Sequence, residues 1–159
     1  RHMLLWNGGC HVHEKFSVQA IAALKRRYPD ALVMAHLECK APVLAMADVK
    51  GSTAAMLTYA QAHPEQKQFI VATEAGILFE LQRRCPGQEF IPVPPEVSEG
   101  EQLDSTVPTS CTCNECEFMK LNTLEKIIAA LEHLQPEVTI PEDIARDAVK
   151  PIERMLELS

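Results

Sequence analysis

The chain has 159 residues, enough for one ordinary domain with a small appendage and for burial of a sizeable core. Its 47% hydrophobic and 23% charged residues are those of a soluble globular protein and exclude a disordered composition. A formal net charge of -7 disfavours nucleic acid as a partner, because such binding draws on basic patches that neutralise phosphates.

In chain order, Arg1-His2-Met3 reads as the remnant of an expression tag and is set aside from the fold. Leu4 to Trp6 predicts a short strand entering the glycine turn Asn7-Gly8-Gly9, with Cys10 just beyond it. Ser17 can cap a helix carrying Val18, Ile21, Leu24 and Tyr28 at helical spacing, ended by Pro29-Asp30. The basic triplet Lys25-Arg26-Arg27 then falls at the helix terminus, where cations meet the negative end of the dipole. Ala31 to Ala35 predicts a buried strand, Pro42 to Met46 a short helix, Gly51-Ser52 a turn and Thr53 to Gln61 a helix. Gln68 to Ala72 predicts a second buried strand, Glu74 to Arg84 a helix, and Phe90 to Val93 a strand end. Alternation of strands and helices at this spacing predicts an α/β fold: a three-layer α/β/α domain over residues 4–93 with a short parallel sheet.

Residues 94–118, rich in Pro, Ser, Thr and acids and holding three cysteines, are predicted to be a long loop. C-terminal helices are predicted over 119–159. The first has Asn122 and Glu125 as a capping box and Leu124, Ile127, Ile128, Leu131 and Leu134 as its apolar stripe. The second runs from Pro141 to Leu158 with Ile144, Ala148, Ile152 and Met155 on one face, and Pro151 is expected to kink or divide it.

No stretch approaches the roughly 20 consecutive apolar residues of a membrane-spanning helix, and the N-terminus lacks the apolar run of a signal peptide. A cytoplasmic protein without a membrane partner is expected, so the six cysteines point to metal or redox chemistry rather than a disulfide framework. The densest group, Cys111-Thr112-Cys113-Asn114-Glu115-Cys116, lacks the second ligand pair of a structural zinc site. An iron-sulfur cluster acting as a Lewis acid needs only three thiolates, and different loops can supply them at one end of a sheet. Cys10 stands beside His11, His13 and Glu14, and His36 and Glu38 follow a predicted strand two residues apart, so they can present an imidazole and a carboxylate to one substrate. Ser52 and Thr53 open a helix after a glycine, which suits a carboxylate or phosphate.

Taken together, Trp6-x-Gly8-x-Cys10-x-x-His13-Glu14, Ala35-His36-x-Glu38-Cys39, Ala47-Asp48-x-x-Gly51-Ser52-Thr53, Ala72-Thr73-Glu74-x-Gly76 and Cys116-x-x-Met119-x-x-Asn122 resemble, in order, the quinolinate synthase family. The likeness continues into Arg154-Met155-Leu156, so it spans nearly the whole chain. It implies a transferase of NAD biosynthesis that condenses iminoaspartate, supplied by aspartate oxidase, with dihydroxyacetone phosphate to give quinolinate. It also implies a [4Fe-4S] cluster held by three cysteines, with the remaining iron as Lewis acid. By motif, Cys10 and Cys116 correspond to two ligands, His13, His36 and Glu38 to catalytic or substrate-binding groups, and Ser52 and Thr53 to anion binders.

The resemblance departs from the family in extent. The third cluster cysteine and further substrate-binding residues belong to an N-terminal part upstream of this sequence, so this chain corresponds to the third domain and the C-terminal helices, expected to be inactive alone. Cys113 and Cys116 form a Cys-x-x-Cys pair that resembles a reversible redox pair in part of the family; a disulfide there competes with metal binding, which needs a free thiolate. The competing class is an α/β module that binds zinc or a partner protein through the cysteine loop without catalysis.

Overall fold

Two five-residue runs too short and too apolar for surface helices form the centre of the sheet. Leu32–His36 is strand β1 and Gln68–Ala72 is strand β3. They pair in parallel with Ala35 opposite Ala72. Their near-continuous apolar character reflects burial on both faces. Val33, Ala35, Ile70 and Ala72 point into one core and Met34, Phe69 and Val71 into the other. The structure is a computed structural model and describes residues 4, 8–95 and 114–159.

Strand β2, Val49–Gly51, pairs with β1, and β4, Glu89–Pro92, pairs with β3, so the parallel sheet has the order β2-β1-β3-β4. Helices α1, Val18–Arg27, and α2, Ala41–Met46, pack on the first face through Ile21 and Val43. Helices α3, Thr53–Ala62, and α4, Ile77–Arg84, pack on the second through Met56, Ala60 and Leu81. The result is the expected three-layer α/β/α arrangement. Ser17 caps α1 by accepting from Ala20 N at 3.1 Å, and Asp48 fixes the start of β1 by accepting from Val33 N at 2.8 Å.

Several local expectations are corrected. Gly51, expected in a turn with Ser52, instead ends a strand, Val49–Gly51, and as an edge strand of three residues it has no apolar run to betray it. Helix α4 starts at Ile77 rather than Glu74, because the Glu74 carboxylate accepts from Gly76 N at 2.7 Å and holds residues 74–76 in a turn. Of the predicted strand at Leu4 to Trp6 only Leu4 is described, exposed and outside any strand, and most of the 94–118 loop falls outside the described residues.

The chain divides into two compact units, Arg1–Lys120 and Leu121–Ser159. In the second, α5 spans Leu124–His133 and α6 spans Glu142–Glu157. Thr123, not Asn122, is the N-cap of α5, since its hydroxyl accepts from Lys126 N at 3.3 Å. Helix α6 continues through Pro151 undivided. Loss of one N–H donor does not interrupt this 16-residue helix. No helix among the described residues is long and apolar enough to cross a membrane.

The sheet core sets the stability of the first unit. Ile70 is fully buried between β1 and β4, and Ile70→Ala is expected to lower unfolding stability by about 2–5 kcal/mol in urea titration. A change below about 1 kcal/mol would contradict the packing described.

Candidate active site

The strand order creates the place for a site. From β1 the chain passes through α2 to β2 on one side, and from β3 it passes through α4 to β4 on the other, with α2 and α4 on opposite faces. The C-terminal ends of β1 and β3 therefore flank a topological switch point, where connections diverge and leave a crevice. The side chains delivered there are His36 and Glu38 from β1, and Thr73 and Glu74 from β3. Because Ala35 faces Ala72, these pairs emerge side by side.

The segment at residues 8–16 covers this crevice. Val12 and Phe16, both buried, anchor it to the core on either side of His13. A short 3-10 turn, His13–Lys15, follows a bond from Glu14 N to Cys10 O at 3.0 Å. Gly9 lies against the side chain of Glu14. His13 thereby enters the crevice with only 6% of its surface exposed. Its Nε2 lies 3.0 Å from Thr73 Oγ1, and its ring stacks on His36 with centroids 4.3 Å apart and planes 14° from parallel. Cys10, His13 and Glu38 bring one ligand atom each to within 4.8 Å of one another, beside an open depression of about 360 Å³ lined by Gly8, Gly9, Cys10 and Glu38.

Glu38 Oε2 lies 3.1 Å from His13 Nδ1 and 3.4 Å from His36 Nδ1. The carboxylate is out of line with the His13 ring, whose buried Nδ1 makes no hydrogen bond. That nitrogen has the Glu38 carboxylate as its near neighbour without an aligned hydrogen bond to it. Burial, and next the nearby His36, hold the His13 pKa below its usual value against the opposing pull of Glu38 and Glu74. His13 is thus poised as a neutral base. Since the Thr73 hydroxyl can donate or accept, the His13 proton can sit on either ring nitrogen without moving a heavy atom. His36 Nδ1 accepts from Glu38 N at 3.3 Å, which leaves the proton of the neutral ring on Nε2.

The cysteines separate by environment. Cys10 and Cys116 are free and half-buried, whereas Cys39 and Cys85 are buried. Burial pushes the Cys39 thiol up to about 11, and its Sγ donates to Ala72 O at 3.5 Å, so Cys39 remains a protonated structural group. Cys116 reaches the same sheet edge: its N–H donates to Glu74 Oε1 at 3.4 Å, and Phe118 two residues on meets the His11 ring edge-on at 5.3 Å. Ser52 and Thr53 follow β2 beside β1, where Gly51 pairs with His36; Ser52 caps α3 by accepting from Ala55 N at 3.3 Å. They share the sheet edge without joining the Cys10, His13 and Glu38 group. Cys113 lies outside the described residues.

This assembly agrees with the comparisons to known proteins. The family model described as quinolinate synthetase A protein matches residues 1–157. The chain belongs to that family. It is similar to quinolinate synthases from Chloroherpeton thalassium, 50% identical over 159 residues, and from Thermosynechococcus vestitus, 48% identical over the same length. A third, from a Synechococcus species, is 45% identical over 159 residues. In each case the whole of this chain is covered but only 46% of the relative, so the chain spans about half the length of the curated quinolinate synthases it matches.

Sequence reading gave Thr73 and Glu74 no role, although both were part of a family-like motif. The signal was available: a hydroxyl and a carboxylate directly after a buried parallel strand occupy the same edge as His36 and Glu38.

The lowered His13 pKa makes stability depend on pH. A base with a depressed folded value contributes stability in full above its unfolded pKa, near 6.5, and loses it as pH falls through the folded value. Unfolding midpoints should therefore decline below that pH, and His13→Gln should flatten the decline. An unchanged slope in the variant would contradict a buried neutral His13.

Proposed function

We propose that this chain is the C-terminal half of a quinolinate synthase that condenses iminoaspartate with dihydroxyacetone phosphate to quinolinate in NAD biosynthesis. The observation carrying this reading is the convergence of Cys10, His13 and Glu38, drawn from separate segments, within 4.8 Å at the switch point. Aspartate oxidase is the expected supplier of iminoaspartate, and the cytoplasm the expected compartment.

Two half-buried free thiols, Cys10 in the converging group and Cys116 at the same sheet edge, support an iron-sulfur group. Cys10 and Cys116 are free thiols within partly accessible segments, and His13 and Glu38 each bring a ligand atom to within 4.8 Å of that of Cys10. Those two cysteines would hold a [4Fe-4S] cluster together with a third from the upstream half of the complete protein. When bound, the cluster supplies Lewis-acid chemistry at an iron not held by cysteine.

Side chains of this chain can carry a share of the remaining work. Condensation and loss of water require protons to leave carbon and reach departing oxygen, and Glu38, 55% exposed beside two imidazoles, can take and return them. Neutral His13 can accept a proton at Nδ1 while Thr73 secures Nε2. His36 retains a donor at Nε2 for a substrate oxygen. Ser52, whose oxygen already accepts from Ala55 N, keeps its hydroxyl hydrogen for a carboxylate or phosphate at the positive end of α3, with Thr53 beside it.

The test separates chemistry from metal retention. In a version extended by the upstream half present in the relatives, Glu38→Gln should retain wild-type iron while quinolinate formation falls by about 10²–10⁴-fold. Loss of iron in parallel with activity would contradict a proton-transfer role. Zinc bound in place of iron by both the short and extended proteins would favour the non-catalytic module.

A further inference from the structure

Beyond the ligands and acid-base groups, the turn after β3 carries a buried carboxylate to which the reaction gives no role. Glu74 is 9% exposed, and its two oxygens are both engaged by backbone: Oε2 accepts from Gly76 N at 2.7 Å and Oε1 from Cys116 N at 3.4 Å. Lys120 Nζ lies 4.0 Å from Oε1 and 3.6 Å from Glu115 Oε1. The segment before Cys116 is fastened to the same turn. Ala75 N donates to Asn114 O at 3.2 Å, while the buried Asn114 side chain donates to Val93 O beyond β4.

We propose that Glu74 is the positioning residue for Cys116, a carboxylate clasp that sets where this thiol stands at the sheet edge. The proposal rests on the reading of Cys116 as a cluster ligand and deepens it. A carboxylate removed from water is stabilised by the N–H donors it gathers, so burying Glu74 and ordering residues 114–116 are one event. Gly76 is part of the device. A Cβ on residue 76 would lie 2.7 Å from Glu74 Oε2, so a larger residue there makes the carboxylate shift from the position it holds here. The spacing Glu74-x-Gly76 thereby acquires a reason that helix capping does not give. Thr73, the preceding residue, holds His13. Adjacent residues of one turn therefore address the two segments that deliver Cys10 and Cys116.

The experiment reads the thiols one by one. The fully reduced chain, free of metal, is treated with limiting iodoacetamide, and the alkylation rate of Cys116 relative to Cys10 is measured on resolved peptides. Glu74→Ala is expected to raise that ratio about tenfold, as loss of a hydrogen-bonded charge frees the segment. Gly76→Ala keeps the charge but displaces it and should give a similar rise, whereas Glu74→Gln, which retains one acceptor oxygen, should give a smaller one. An unchanged ratio in Glu74→Ala and Gly76→Ala, in variants whose thermal unfolding shows them folded, would overturn the clasp. In the extended, iron-loaded protein the same two variants should surrender iron faster to a chelator. Raised alkylation with unaltered iron loss would overturn the positioning role while leaving the proposed function intact. An extended wild type without iron would overturn the reading beneath it, and the alkylation ratio would still decide whether Glu74 holds Cys116.

Discussion

Parallel pairing of Leu32–His36 with Gln68–Ala72 is the constraint from which the site follows. Neither strand can be joined to its neighbour by a tight turn, so each must leave the sheet through a helix, and the two helices depart on opposite faces. The backbone thus opens at one edge without any residue having been chosen to open it. Continuous apolar burial on both faces fixes the register, since a one-residue slip would exchange the residues facing the two cores. Register in turn sets Ala35 against Ala72 and brings the polar residues that follow to the same depth.

Around that opening stand groups that a core would reject. A buried imidazole lacking a partner on one nitrogen, and a buried carboxylate gathering backbone donors, are both costly arrangements. They persist because neighbouring apolar anchors over-determine the backbone: Val12 and Phe16 beside His13, and Val71, Ala72 and Val93 beside the turn that bears Glu74. Stability given up at the sheet edge is the usual companion of a site prepared for a ligand.

What could be read from the sequence divides along physical lines. β1 and β3 were legible because their runs are continuous and apolar; β2 was not, since Val49-Lys50-Gly51 at a sheet edge needs only one buried face. Ser17 was legible as a cap from its spacing to the apolar stripe, but choosing Asn122 over Thr123 turned on a hydroxyl geometry that spacing cannot reveal. His36 and Glu38 follow a recognisable strand and were legible as a pair. The partnership of His13 with Thr73 joins residues sixty positions apart and exists only once β3 lies beside β1. Cys10 and Cys116 were singled out through family resemblance, because local sequence offers no means of telling them from Cys39, which differs from Cys10 chiefly in burial.

If Cys10 and Cys116 supply two thiolates of an iron-sulfur centre in the proposed longer enzyme, iron and acid-labile sulfide should follow them. Measured after anaerobic reconstitution of the extended protein and of its Cys10→Ser, Cys116→Ser and Cys85→Ser forms, both elements should be lost in the first two variants and retained in the third, whose thiol is buried in the second core cluster. Equal iron and sulfide in all three would contradict the ligand assignment.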